Sequence, residues 1–307
     1  MPIKGYSKEG LSKILLEYCE HQKEIQSVLD CTIYQRLIHV KPFVEALGIN
    51  GTPSRIKNLD SKFIHNYVLK TAPQFSRKYQ KEFLCSLRSF FKFLTFKGYS
   101  EKNLLDAVPK IPTWQLSEVP RGIKWDDVQK LLSAPRLNTQ HGRRNYAILL
   151  IMATYGVRFA QASRLKLKDI HWKQERIFFA SCKLGRPLNF PLYENVAIAI
   201  IDYIKNGRPQ SDLPNLFLQR GNPAKPLSHG FHSTLKLYFK RVGIESNTMG
   251  FHSIRHAFAT KLMNEDTPLK SISDILGHTS IKSTLCYTKV DEKRLRTFCR
   301  EWPEVTL

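Results

Sequence analysis

A proline-rich break divides this chain into two parts that we expect to fold as separate domains. The segment from Pro109 to Pro120, PKIPTWQLSEVP, holds three prolines. Proline lacks a backbone N–H and fixes φ, so this segment cannot continue a helix or enter the interior of a sheet. The 307 residues suffice for two domains of about 150 residues each. We therefore expect a domain at 1–110, a linker at 111–120 and a second domain at 121–307.

The first part has the periodicity of helices. Within Lys78–Phe96, apolar residues recur at helical spacing and predict one core-facing stripe: Phe83, Leu87, Phe90 and Leu94. The opposite side of the same segment is largely basic. Its candidate DNA-contacting residues are Lys78, Lys81, Arg88 and Lys92. A solvated surface face is the alternative interpretation.

The net charge favours a polyanionic partner. The chain carries 48 Lys and Arg against 26 Asp and Glu, a formal net charge of +22. Lysine and arginine bind phosphates with release of condensed counterions, so nucleic acid is the expected partner. A basic balance also fits ribosomal and membrane-surface proteins. It therefore indicates the class of partner and no more.

Other features of the sequence predict a cytoplasmic protein that is not inserted in a membrane. No apolar run approaches the roughly 20 residues that span a bilayer, and the first residues, MPIKGYSKEG, lack the apolar core of a signal peptide. The six cysteines are scattered without a C-x-x-C pair, which is typical of reduced thiols.

The second part predicts a mainly α fold with a small β-hairpin. A helix should begin near Lys124, and the apolar stretch Tyr146–Thr154 suits a buried helix that Gly156 interrupts. Arg176–Ser181 and Pro187–Leu192 are typical of two strands joined by a turn at Gly185. Helices should return from Val196.

Two basic residues of this second part could act on a phosphate. Arg158 follows directly after the helix-breaking Gly156 and Val157, and its planar guanidinium suits bidentate phosphate binding. Lys183 falls near the hairpin tip, where its ammonium could donate a proton to a leaving alkoxide. Taken singly, each residue is better interpreted as an ordinary surface side chain.

Two histidine motifs follow. His252 and Arg255 are three residues apart in HSIRH, so on a helix they share one face. His252 and His256 could also form an i, i+4 zinc pair, although no Glu follows His252 and no third ligand is evident. We expect His256 to be structural.

The last motif ends in a tyrosine. Thr267 and Pro268 suit a helix start and Gly277 a helix stop, so His278 is placed just beyond a helix end. Tyr287 follows nine residues later. A lone tyrosine usually packs in a core, but the order Arg, Lys, His-x-x-Arg, Gly-His, Tyr is far more specific.

The chain resembles the tyrosine recombinase, or phage integrase, family of the Xer-like two-domain type. The motifs match the family's active-site positions residue by residue: Arg158, Lys183, His252, Arg255, His278 within Leu276-Gly277-His278, and Tyr287. The first motif usually reads Arg-x-x-Glu, and this chain has Gln161 in the fourth place. That change affects a carboxylate that in the family commonly supports the arginine, and it does not alter the reaction that the resemblance implies.

The resemblance implies a reaction and an assembly. Tyr287 would form a 3′-phosphotyrosine on duplex DNA, and the arginines and histidines would stabilise the phosphorane without metal or other cofactor. The two domains would form a C-shaped clamp on DNA with inverted-repeat core sites. Four protomers would assemble on two sites from free monomers or weak oligomers, with the amphipathic tail Asp291–Trp302 docked on a neighbour.

Three other functions remain open. A type IB topoisomerase uses the same chemistry without a specific site. A non-catalytic DNA-binding protein would not require the complete set of catalytic residue types. A zinc-dependent nuclease would be inactivated by chelators.

Overall fold

The computed structural model separates the chain into two compact units, Met1–Thr113 and Trp114–Leu307. It describes residues 11–48, 56, 59–100, 104–110, 122–181, 186–219, 221, 223–227, 231–245, 249–280 and 283–284. The expected linker, 111–120, and the tail Asp291–Trp302 lie outside the described residues. Their predicted roles therefore stay predictions.

The N-terminal unit is helical, as predicted. Its helices are α1 (Lys13–Glu24), α2 (Asp30–Ala46), α3 (Ser61–Thr71) and α4 (Arg77–Phe96), with a 3-10 turn at Ala72–Gln74. The predicted stripe of α4 is fully buried. Aromatic rings dominate this core, and Tyr18 of α1 meets Phe90 edge to face at 5.3 Å between ring centroids. Such pairing adds specificity to the apolar burial that holds the helices together.

The second unit begins with helices around one buried helix. Its helices are α5 (Trp125–Ser133), α6 (Gln140–Tyr155), α7 (Phe159–Ser163), α8 (Glu194–Asn206), α9 (Phe231–Arg241), α10 (Phe251–Asn264) and α11 (Leu269–Ile275). Helix α6 contains the predicted apolar stretch but begins earlier, at a cap in which Thr139 Oγ1 accepts the N–H of Gly142 at 3.0 Å. It ends at Gly156, where φ is +62°.

Two adjacent arginines of α6 have opposite environments. Arg143 pairs with Asp202 of α8 at 3.0 Å near the surface. Arg144 is buried, and its guanidinium donates to the carbonyl oxygen of Leu218 at 2.9 Å and to Oδ1 of Asn145. These bonds compensate for the loss of water around a buried charge.

Short strands complete the second unit. They are β1 (Ile170–His171), β2 (Arg176–Phe179), β3 (Leu188–Pro191), β4 (Leu218–Gln219) and β5 (Lys225–Pro226), with 3-10 turns at Leu167–Asp169 and Trp172–Gln174. One antiparallel sheet has the order β1-β2-β3, and β4 pairs with β5. The pairing of Phe179 with Leu188 confirms the predicted hairpin. The strands β1, β4 and β5 were not predicted from the sequence.

The helices that the structure describes include none of the length and apolarity required to cross a bilayer.

Candidate active site

Arg255 is the centre of the candidate site. It lies on α10 and is 4% exposed. Its Nη1 donates to the carbonyl oxygen of Gly156 at 2.9 Å, and its Nη2 donates to that of Leu276 at 2.7 Å. These carbonyls belong to the C-terminal ends of α6 and α11, where the helix dipoles present partial negative charge. One buried guanidinium thus holds together the two loops that carry Arg158 and His278.

Arg158 begins the next short helix. It is the N-cap residue of α7, is half-buried, and lies two residues after Gly156. Its backbone N–H donates to Oε1 of Gln161 at 3.1 Å. Gln161 is itself buried. An amide oxygen therefore supplies the capping bond that a glutamate would supply, without adding a negative charge beside Arg158.

Two glycines allow the segments around the site to pack closely. A Cβ at Gly156 would lie 2.3 Å from Cδ1 of Phe258 on α10. Gly277 has φ +63°, and a Cβ there would lie 3.1 Å from Leu188 of β3. The hairpin strand therefore packs directly against the turn that leads to His278.

His278 is held in a positively charged environment. Burial, followed by the charges of Arg255 and Arg158, lowers the pKa of His278 to about 4; the charge of His256 acts in the same direction. The ring is therefore neutral near pH 7. Its Nδ1 lies 2.7 Å from Oγ1 of Thr284, which is fully buried. Thr284 could not be recognised from the sequence, because nothing in the local pattern distinguishes it from its neighbouring hydroxyl residues.

The pair His252 and Arg255 lies in the N-terminal half of α10, with His252 exposed and Arg255 buried. His256 is half-buried, and burial, followed by the charges of His252 and Arg255, lowers its pKa. Among the described residues, no three His, Cys, Asp or Glu side chains are grouped so that they could hold a metal ion. The zinc pair considered above therefore has no third ligand in the described part of the chain.

Two predicted catalytic residues, Lys183 and Tyr287, lie outside the described residues. Lys183 belongs to the connection between the paired residues Phe179 and Leu188. The described site thus brings together Arg158, Arg255 and His278. Two guanidiniums and a neutral imidazole are suited to the non-bridging oxygens of a phosphoryl group.

The basic residues predicted on α4 have different positions. Lys81 and Lys92 are exposed, whereas Arg88 is half-buried and its Nη2 donates to the carbonyl oxygen of Pro109 at 2.6 Å. The side chain of Lys78 lies outside the described residues. Arg88 therefore has a structural role within its own unit, and DNA contact by these four residues stays a prediction.

Comparison with known sequences identifies the family. The model of the phage integrase family matches residues 122–294. The integrase/recombinase y4rA of Sinorhizobium fredii is 32% identical over 288 residues, which cover 93% of this chain and 70% of that protein. Tyrosine recombinase XerD of Listeria innocua is 31% identical over 280 residues, which cover 88% of this chain and 90% of XerD.

Solved structures share the fold. The XerH site-specific recombinase in a post-cleavage complex with palindromic difH substrate has a TM-score of 0.74 at 18% identity, over 92% of this chain and 82% of that chain. A lambda integrase (75–356) dimer bound to a COC′ core site has a TM-score of 0.65 at 15% identity, over 95% of this chain and 99% of that chain. The predicted fold class, mainly α with a small sheet, is confirmed.

The matching family model and the two relatives agree with the motifs that the sequence analysis recognised. This chain belongs to the phage integrase family: it is a tyrosine recombinase, a DNA strand-transferase that carries out site-specific recombination.

Proposed function

We propose that this recombinase cuts and rejoins duplex DNA with Tyr287 as its nucleophile. The phenolic oxygen attacks phosphorus, the bond from phosphorus to the 5′-oxygen breaks, and a 3′-phosphotyrosine and a 5′-hydroxyl result. Attack by a 5′-hydroxyl on the phosphotyrosine reverses these steps, so rejoining requires no ATP. The observation that carries the proposal is the pair of hydrogen bonds that Arg255 donates to the carbonyl oxygens of Gly156 and Leu276.

Each basic residue has a distinct role in this proposal. Arg158 and Arg255 stabilise the negative charge that grows on the non-bridging oxygens as the phosphorane forms. His252 and His278 add hydrogen bonds to the same group. Lys183 protonates the leaving 5′-oxygen, because a flexible ammonium can follow the departing group.

The proposed partner is duplex DNA with inverted-repeat core sites. The net charge of +22 supports a polyanionic partner, and the XerH structure described above contains a palindromic substrate. Four protomers would assemble on two such sites, with the tail Asp291–Trp302 docked on a neighbour, and free protein would be a monomer or weak oligomer. We place this reaction in the cytoplasm.

A nicked suicide substrate tests the nucleophile. Tyr287→Phe removes one oxygen, so DNA binding should be retained and the denaturation-resistant protein–DNA adduct should vanish. Tyr193→Phe is the matched control, because Tyr193 is an exposed tyrosine of the same unit, and it should form the adduct normally. An adduct formed by Tyr287→Phe would contradict the proposal.

The role of Lys183 can be separated from that of the nucleophile. Lys183→Ala should cut slowly at a normal 5′-oxygen and recover on a 5′-bridging phosphorothiolate, because sulfur leaves without a proton. Tyr287→Phe should not recover on that substrate.

Efficient relaxation of supercoiled DNA without any target site would favour the topoisomerase alternative.

A further inference from the structure

Thr284 contacts the candidate site without belonging to any motif of the sequence. Its side chain is 0% exposed, and its Oγ1 lies 2.7 Å from Nδ1 of His278. The backbone N–H of His278 donates to the carbonyl of Ser273 at 3.0 Å, which fixes the main chain at the end of α11. The Thr284 hydroxyl therefore acts on a ring whose backbone is already anchored.

Burial and the charges around His278 limit its ring to one proton. Burial opposes a second proton most strongly, and the charges of Arg255 and Arg158 oppose it as well, as does His256 when charged. A neutral imidazole is a donor at one nitrogen and an acceptor at the other. The nitrogen that carries the proton is therefore set by the partner of Nδ1.

The direction of the hydrogen bond decides what Nε2 can do. If Nδ1 donated to the threonine oxygen, Nε2 would present a lone pair, which negatively charged phosphoryl oxygens would repel. If the hydroxyl donates to Nδ1, the proton stays on Nε2, which can then donate to a phosphoryl oxygen. Only the second arrangement contributes to stabilising the phosphorane.

We propose that Thr284 is a positioning residue that donates its hydroxyl hydrogen to Nδ1 of His278 and keeps the ring proton on Nε2. This inference rests on the proposed function, since it assumes that His278 meets the scissile phosphate. It gives a neutral histidine a fixed donor role. Thr284 itself does not touch the substrate.

Nitrogen-15 NMR of histidine-labelled full-length protein tests the hydrogen-bond direction without DNA. The His278 signals are identified by their loss in His278→Asn. At pH 7 the wild type should show an unprotonated Nδ1 and a protonated Nε2. A wild type with the proton on Nδ1 would overturn the inference, and this measurement needs no Thr284 variant to fold.

Two variants then test the hydroxyl. Thr284→Val keeps the shape and removes the donor, so the two tautomers should mix and the rate of adduct formation should fall about tenfold or more. Thr284→Ser keeps the donor and should restore both the tautomer and the rate. DNA affinity should be the same in all three proteins. A Thr284→Val protein with the wild-type tautomer and rate would refute the inference.

A different result would contradict the proposed function. If the wild type itself formed no adduct on the suicide substrate, or if Tyr287→Phe formed one, the chemistry would be wrong whatever the tautomer. A normal wild-type adduct with an unaffected Thr284→Val variant would remove only the role of Thr284.

Discussion

Replacing Gly156 with alanine should destabilise the catalytic unit by two separable effects. With φ at +62°, the left-handed backbone costs an alanine about 1–2 kcal/mol. The added Cβ would also lie 2.3 and 2.6 Å from two ring carbons of Phe258. Overpacking of this kind costs about 1–3 kcal/mol, so the total loss should be about 2–5 kcal/mol.

Gly243 provides a matched control for the backbone effect. It has φ +66° in the same unit, and a Cβ placed there meets no described atom within 4 Å. The free energy of unfolding of Gly243→Ala should therefore fall only by the backbone contribution, about 1–2 kcal/mol. The difference between the two variants measures the overlap with Phe258.

The assay is equilibrium urea unfolding followed by tryptophan fluorescence. The first unit holds no tryptophan, whereas Trp125 and Trp172 lie in described parts of the second unit, so the signal reports on the second unit and not on the first. Equal losses in Gly156→Ala and Gly243→Ala would refute the steric argument. Gly156→Ala should also slow adduct formation, because it moves the carbonyl that Arg255 binds.

Arg144→Ala should cost about 2–4 kcal/mol because it leaves buried acceptors unpaired, whereas Arg143→Ala, at a partly exposed pair, should cost under about 1 kcal/mol in the same urea assay. Because folding lowers the pKa of His278 from 6.5 to about 4, its contribution to stability is complete above pH 6.5. It is lost as the pH falls from 6.5 towards 4; His278→Asn should flatten that part of a stability–pH curve. In DNA-binding titrations, the plot of log K against log salt concentration should have a slope of about −0.9 for each phosphate contacted. Lys81→Ala or Lys92→Ala should make that slope less steep. The control Glu82→Ala should leave it unchanged.

The sequence was most informative where a single residue type determines the backbone. Gly156 and Gly277 end helices with positive φ, as expected for residues without a side chain. The hairpin was predictable because its two strands are long enough to show a pattern. Strands β1, β4 and β5 are two residues each, too short for any alternation, and only tertiary packing defines them.

The sequence proposed the residues of the candidate site but not their arrangement. The motifs identified Arg255 without indicating that it binds the ends of two helices. Arg88 was grouped with a basic face by spacing alone, whereas its bond to Pro109 depends on the path of a distant segment. The lowered pKa of His278 and its bond to Thr284 likewise depend on burial and on neighbours that helical spacing does not show.

The two bonds of Arg255 also affect when a new chain can become active. During synthesis, Gly156 emerges 99 residues before Arg255, and Leu276 emerges 21 residues after it. The loop at Gly156 therefore leaves the ribosome long before Arg255, which binds it. The loop at Leu276, which Arg255 also binds, leaves last of the three. A nascent chain cannot hold Arg158 and His278 together until α11 has formed.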